Sequence, residues 1–481
     1  MYLLNTVPNY ISKLKHLRYL DLSGSDIKAL PNSISKLQNL RTLKLNRCFH
    51  LEELPRDIRK LVSLRHLEFD QCLKLNSMLP WGLGQLTSLL TLTRFGVDSN
   101  SRLSELQSLN NLCGRLTIEI LGRRDSSSPQ CLKNATAKGA EATNYLEAKK
   151  HLKSLILCFD RVDHDDDELL LESLRPHLNL KELKIEYYGG MSFPSWMMMV
   201  DKVGLSLPNL IRITIDSCDK CKHLPLFGQL PSLQFLCLSF MYSLEYIDNS
   251  STGSDGEVSL SSLPSSSSLI RRSEQTPTPT FFPSLKELQL HPMPNLKGWW
   301  REAVEEEATT SSATLLDQQK HQQQHYWLPS FPSLSKLNIE YCPNLTSMPI
   351  LQPCLEQLHL ENVSNKLVEQ QLMMTVPPIA SKSSSSSSSS LLHLSKLKTL
   401  SVVNIQDLVT LPECIGNLTS LDRLFVGNCP NLTSLPKGMQ RLAALQQLTI
   451  TSCTDVLYDR CHKETGDDWP KIAHIRNVYI A

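Results

Sequence analysis

Apolar residues recur along this chain in a fixed order: two leucines separated by one polar residue, then a longer mixed stretch. The order is clearest from Leu40 to Leu64, LRTLKLNRCFHLEELPRDIRKLVSL. Leu40, Leu43, Leu45 and Cys48 open the unit, Leu54-Pro55, Ile58 and Leu61 close it, and the order restarts at Leu64. Alternation at Leu43 and Leu45 predicts a short strand with both leucines on one side, because strand side chains alternate in direction. The residues between them face solvent. Pro55 fixes an extended segment and blocks continuous helix. The Ile58 and Leu61 spacing that follows predicts a short helical turn. A single unit cannot bury its own leucines, whereas parallel stacking of units can.

The distance from Leu40 to Leu64 lies within the period of leucine-rich repeats, roughly 20–29 residues. A partial unit at Val7-Pro8 and Ile11 precedes the unit of Leu17, Leu20 and Leu22, with Leu30-Pro31, Ile34 and Leu37. Strand patterns recur at Leu116, Leu152, Leu180, Leu210, Leu233, Leu285, Leu334, Leu355, Leu397, Leu421 and Leu445, and Ile475-Val478-Ile480 is the last. Cys48, Cys72, Cys218, Cys342, Cys429 and Cys453 share one phase, three residues past the last apolar strand residue, with Met241 and Met293 at the same place in other units. A small side chain turned inward at the strand end, making weak hydrogen bonds to loop backbone, accounts for that phase. The fold class expected is α/β: a leucine-rich-repeat solenoid (horseshoe) with a parallel concave sheet, short convex helices or turns, and disordered insertions.

The expected organisation follows the interruptions of the period. N-terminal repeats fill 1–121. A polar loop and a convex helix, rich in Ala, Glu and Lys from Ala135 to Lys150, occupy 122–150. Middle repeats run over 151–243, a Ser/Pro-rich insertion over 244–280, a single repeat over 281–300, and a Glu/Gln/His-rich insertion over 301–326. Repeats return at 327–363, a polyserine-containing insertion covers 364–396, and C-terminal repeats and cap fill 397–481. The insertions are too polar to bury a core and read as disordered.

Composition narrows the function classes. A formal net charge of +1 over 481 residues gives no electrostatic reason to expect nucleic acid or an anionic membrane. No apolar run approaches the roughly 20 residues of a membrane-spanning helix, so no membrane insertion is expected. The start, MYLLNTVPNYISKLKHL, lacks the order of a signal peptide, and the expected compartment is the cytosol. Fourteen cysteines suit a disulfide scaffold only in a short secreted chain.

HLRYLDLSGSDIKALPNSISKLQNLRTLKLNRC (16–48) resembles the first-repeat signature of plant coiled-coil nucleotide-binding leucine-rich-repeat disease resistance proteins. LTSLLTLTRFGV (86–97), CGRLTIEILG (113–122) and EAKKHLKSLILCFD (147–160) are similar to later blocks of that family. So are LLESLRPHLNLKELKIEYYGGMSFPSWM (170–197), CDKCKHLPLFGQLPSLQFLCLSFMYSLEYI (218–247) and DWPKIAHI (468–475). The family's phosphate-binding G-x-x-x-x-G-K-[ST] loop, its MHD tripeptide and its coiled coil find no counterpart here. Nucleotide binding is therefore not carried over, and no cofactor is expected. The resemblance implies a recognition module of an intracellular immune receptor, as a truncated or partial receptor, with the receptor's nucleotide-binding module and a pathogen effector or guarded host protein as partners. A leucine-rich-repeat substrate adaptor of a ubiquitin ligase complex is the alternative; it would want an F-box-like helical segment near the N-terminus.

Other motifs carry less. Cys218-x-x-Cys221 with His223 lacks a second ligand pair. The acidic run HDDDE (164–168) lacks calcium-loop spacing and reads as a solvated loop. His321 and His325 lie in a polar tract, and His16, His66 and His359 stand isolated in the sequence. Asn134, Asn344, Asn417 and Asn431 head Asn-x-Thr triplets that read as unmodified. GxSxG and HExxH are absent, and no metal site or enzyme is expected.

The repeat phase identifies candidate protein-binding residues on the concave face: Arg18, Tyr19, Arg41, Lys44, Arg65, His66, Lys398, Arg423, Phe425 and Gln447. By resemblance, Arg18, Arg41, Lys44 and Arg65 form a candidate docking face for the nucleotide-binding module. Arg423 and Phe425 belong to the candidate recognition face.

Overall fold

The computed structural model describes residues 4–481 apart from 76–79, 98–99, 122–143, 162–166, 199, 202–203, 206, 249–281, 301–329, 347, 349, 352–353, 374–393 and 395. They fall into two compact units, Met1–Leu244 with Glu287–Met293, and Glu245–Lys286 with Pro294–Ala481.

In the first unit, Tyr19–Asp21, Thr42–Lys44, His66–Glu68 and Thr91–Leu92 form a parallel sheet in chain order. Leu20 stands beside Leu43, Leu43 beside Leu67, and Leu67 beside Leu92. A second parallel sheet takes Arg94–Val97, Cys113–Ile120, His151–Cys158, Glu182–Glu186, Arg212–Asp216, Phe235–Ser239 and Glu287–Leu290 in sequence. In the second unit the order is Lys336–Cys342, Gln357–Val363, Thr399–Val403, Arg423–Gly427, Gln447–Thr451 and Asn477–Ile480. The repeat period thus appears directly as strand register. Leu40, Leu43, Leu45, Leu51, Ile58 and Leu61 are fully buried, each contributing about 1.5–3 kcal/mol of apolar burial.

The Leu-Pro pairs start short turns, as the spacing predicts. Pro31, Pro55, Pro412 and Pro436 cap the 3₁₀ helices Asn32–Lys36, Arg56–Lys60, Glu413–Asn417 and Lys437–Arg441. The inward turn at the cysteine phase has a backbone cause. Arg47, Gln71, Ser217, Tyr341, Asn428 and Ser452, each just before one of the six cysteines, have φ of 50 to 59°. This left-handed step swings the next side chain into the core. The thiols of Cys48 and Cys72 donate to the Leu22 and Leu45 carbonyls at 3.1 and 3.0 Å. Met241 and Met293 are also fully buried.

Asparagines tie each repeat to the one before. The amides of Asn39, Asn111 and Asn209 donate to the carbonyls of Lys15, Thr87 and Leu178 at 2.8–3.0 Å. Asn344 and Asn431 do the same to Pro294 and Gln406, both at 2.7 Å, so the side-chain nitrogen of two Asn-x-Thr triplets is already engaged.

Two stretches differ from expectation. The helix read over Ala135 to Lys150 lies mostly outside the described residues, and its described end, 144–150, is turn. There the Asn144 side-chain oxygen accepts from the Leu146 N–H, a local bond that competes with helix. Lys149 is fully buried; its ammonium donates to the Leu106 carbonyl at 2.7 Å and to Asn110 at 3.2 Å. Burial pushes it down to about 8. The stretch read as an insertion from 364 opens instead with the helix Asn365–Met373, because Leu367 and Val368 are buried. The remaining insertions fall largely outside the described residues. No helix among the described residues is long and apolar enough to cross a membrane.

The C-terminal block has a specific tie. Asp468 is fully buried. It accepts from Arg460 at 2.8 and 3.2 Å, from Lys471 at 2.7 Å and from the Leu435 N–H at 2.9 Å. Burial alone would raise its pKa, but these donors outweigh burial and hold it below the usual carboxylate value. The contribution is therefore present above the unfolded Asp pKa and lost as pH falls through the folded one. Asp468→Asn is expected to lose about 3 kcal/mol at neutral pH, measured by chemical denaturation, with the deficit shrinking in the acid range. A variant as stable as the wild type at neutral pH would contradict the tie.

Candidate protein-binding surface

Register arranges the outward side chains into columns. In the first unit the Arg41 N–H donates to the Arg18 carbonyl and the Arg65 N–H to the Arg41 carbonyl, both at 2.8 Å. Three exposed arginines thereby stand one repeat apart. Their side chains form no ion pair among the described residues. Beside them runs the column Tyr19, Thr42, His66, Thr91. Tyr19 is exposed, and its hydroxyl donates to Asp21 at 3.2 Å. The His66 ring hydrogen-bonds with Thr91 at 3.0 Å.

Lys44 behaves differently from the arginines. It lies between Asp21 and Glu68 and pairs with Glu68 at 3.2 Å. The hydrogen bond and the charge of Glu68 raise the lysine pKa. The expected four-cation docking face is thus three arginines beside a neutralised lysine. Sequence phase identifies outward positions but not whether a neighbouring strand answers the charge.

In the second unit one column runs Gln357, Thr399, Arg423, Gln447, Asn477, and the next His359, Ser401, Phe425, Thr449, Tyr479. Lys398 pairs with Glu356 at 3.1 Å, and Arg423 with Asp422 at 3.4 Å. Both pairs are exposed and contribute little to stability. Gln447 is exposed. Phe425 is 36% exposed. Gly427 leaves room for its ring, since a Cβ there would meet the ring at 2.9 Å. Tyr479, 60% exposed, stands two strands along the same column. The phase that identified Phe425 also reaches Tyr479, between Val478 and Ile480. His359 is isolated only in sequence: Glu340 and Glu361 approach its Nε2 at 3.9 and 3.6 Å.

The remaining motifs resolve structurally. Cys218 and Cys221 are buried, and Cys221 donates to the Gly190 carbonyl at 3.2 Å. Burial pushes the Cys221 thiol up to about 12 and Cys218 well above its ordinary value. The acidic run is not wholly a solvated loop. Asp167 and Glu168 begin the helix Asp167–Glu172, and Asp167 is buried. Glu168 accepts from the N–H groups of Met191 and Ser192 at 2.8 and 3.1 Å. Glu172 accepts from the Ser195 N–H at 2.7 Å, and the Trp196 indole donates to the Leu171 carbonyl at 3.1 Å. The helix thereby holds the GGMSFPSW segment by its backbone.

Residues 103–241 match the family described as R13L1/DRL21 LRRs. The disease resistance protein RGA1 of Solanum bulbocastanum is 41% identical over 299 residues, covering 61% of this chain and 26% of that protein. The disease resistance RPP13-like protein 1 of Arabidopsis thaliana is 31% identical over 284 residues, covering 56% of this chain and 22% of that protein. The matched stretches thus span about a quarter of the length of these relatives. A solved leucine-rich-repeat protein of Leptospira interrogans overlays at 18% identity and a TM-score of 0.40, covering 98% of this chain and 81% of that one. The likeness read from the sequence holds over the repeats: they are leucine-rich repeats similar to those of plant disease resistance proteins.

The thiol geometry predicts an order of reactivity. In the folded chain iodoacetamide should label the half-buried Cys113 and Cys354 well before Cys218 and Cys221, as read by peptide mass spectrometry. Equal rates would contradict the buried, protonated state of the pair.

Proposed function

We propose that this chain is the protein-recognition part of a plant intracellular immune receptor, acting in the cytosol with no catalysis of its own. The relatives' defence role and the repeat fold, a common platform for protein contacts, support the reading. The observation that carries it is the arginine column. Like charges side by side on neighbouring strands cost stability, and Arg18, Arg41 and Arg65 gain no ion pair in return among the described residues. Such a column suits an acidic protein surface, and arginine is a favoured interface anchor.

In this reading the arginine column docks on the nucleotide-binding module and holds it inactive. The face bearing Lys398, Arg423, Phe425, Gln447 and Tyr479 meets a pathogen effector or a guarded host protein. A ubiquitin-ligase adaptor would present similar repeats, but no observation here favours it.

Arg41→Glu combined with Arg65→Glu should weaken binding to a cognate nucleotide-binding module supplied in trans by tenfold or more, roughly the loss expected from opposing two interface charges. Affinity measured by titration and unchanged from wild type would overturn the docking assignment.

A further inference from the structure

The strand register sets two carboxylates against each other. Glu340 on Lys336–Cys342 lies directly beside Glu361 on Gln357–Val363, a juxtaposition that repels. His359, two residues before Glu361, projects from the same strand face. Its Nε2 is 3.6 Å from Glu361 and 3.9 Å from Glu340. One ligand atom from each residue fits within 4.8 Å of the others, the one such His/Cys/Asp/Glu trio among the described residues. Four donors at about 2.0–2.2 Å from a tetrahedral zinc ion stand about 3.4 Å apart. Small side-chain rotations bring these three to that spacing.

The surroundings are those of a held site. Side-chain exposures are 32% for His359, 26% for Glu340 and 23% for Glu361, so the trio is mostly covered yet open to solvent. Asn338, in register with His359, donates from its amide nitrogen to Glu340 at 2.8 Å. Glu340 is thereby oriented by an outer partner, as ligands of metal sites commonly are. The Asn338 side-chain oxygen is buried with no hydrogen-bond partner among the described residues, an uncompensated dipole on the same face.

We propose that Glu340, His359 and Glu361 form a binding site for a divalent transition-metal ion, with zinc as the ion of reference and water completing its shell. One imidazole and two carboxylates suit such an ion better than calcium or magnesium, which take oxygen donors. The ion would remove the repulsion between the glutamates and pin two adjacent repeats together.

The test is zinc chloride titrated into the full chain at about pH 7.5, where histidine is ordinarily neutral, read by calorimetry and by melting temperature. The wild type should bind zinc saturably and melt about 2 °C or more higher with zinc. His359→Ala, and the near-isosteric Glu361→Gln, should each lose one equivalent of zinc and the shift, while His462→Ala keeps both. Magnesium at the same concentration should give no shift. Absence of zinc binding by the wild type would overturn the proposal. So would His359→Ala and Glu361→Gln with wild-type stoichiometry, which would assign the zinc to other residues.

Discussion

Every strand leucine in this protein depends on the repeats next to it. Leu43 is fully buried because Leu20 and Leu67 stand beside it in register, and no residue of its own unit could cover it alike. Stability is therefore built between neighbours rather than within units. The same register sets the outward face. Once leucines align, the intervening residues must align too, so an arginine in one repeat stands over an arginine in the next.

Polar ties follow the neighbour rule. The Cys48 thiol reaches back to Leu22, the Asn431 amide to Gln406, and the Glu413 carboxylate accepts from the N–H groups of Lys437 and Gly438. Each engages a backbone group in the adjacent turn. In the second unit Asp468 joins Arg460, Lys471 and the Leu435 backbone. In the first unit Leu17 and Leu20 are half-buried.

The repeat, its strand leucines and its proline-started turns were legible in the sequence because each rests on side-chain type at a fixed period. The left-handed residue before each cysteine was not. Arg47, Gln71 and Tyr341 carry no local mark of that conformation, which tertiary packing imposes. Outward positions such as Arg41 and Phe425 were legible by phase, and Tyr479 obeys the same rule. Pairing across strands was hidden: Lys44 with Glu68, and His359 with Glu340, meet through register between residues about one repeat apart. The helix over Asn365–Met373 was obscured by the serine tract that follows it, although Leu367 and Val368 already offer apolar residues to the core.

The register-built arginine column is proposed as a protein-docking surface. Hydrogen–deuterium exchange of the full chain, with and without a cognate nucleotide-binding module in trans, tests this role. Slowed exchange is expected in peptides covering 18–21, 41–44 and 65–68 on adding the module. Unchanged exchange in those three segments, under conditions where the two proteins bind, would contradict it.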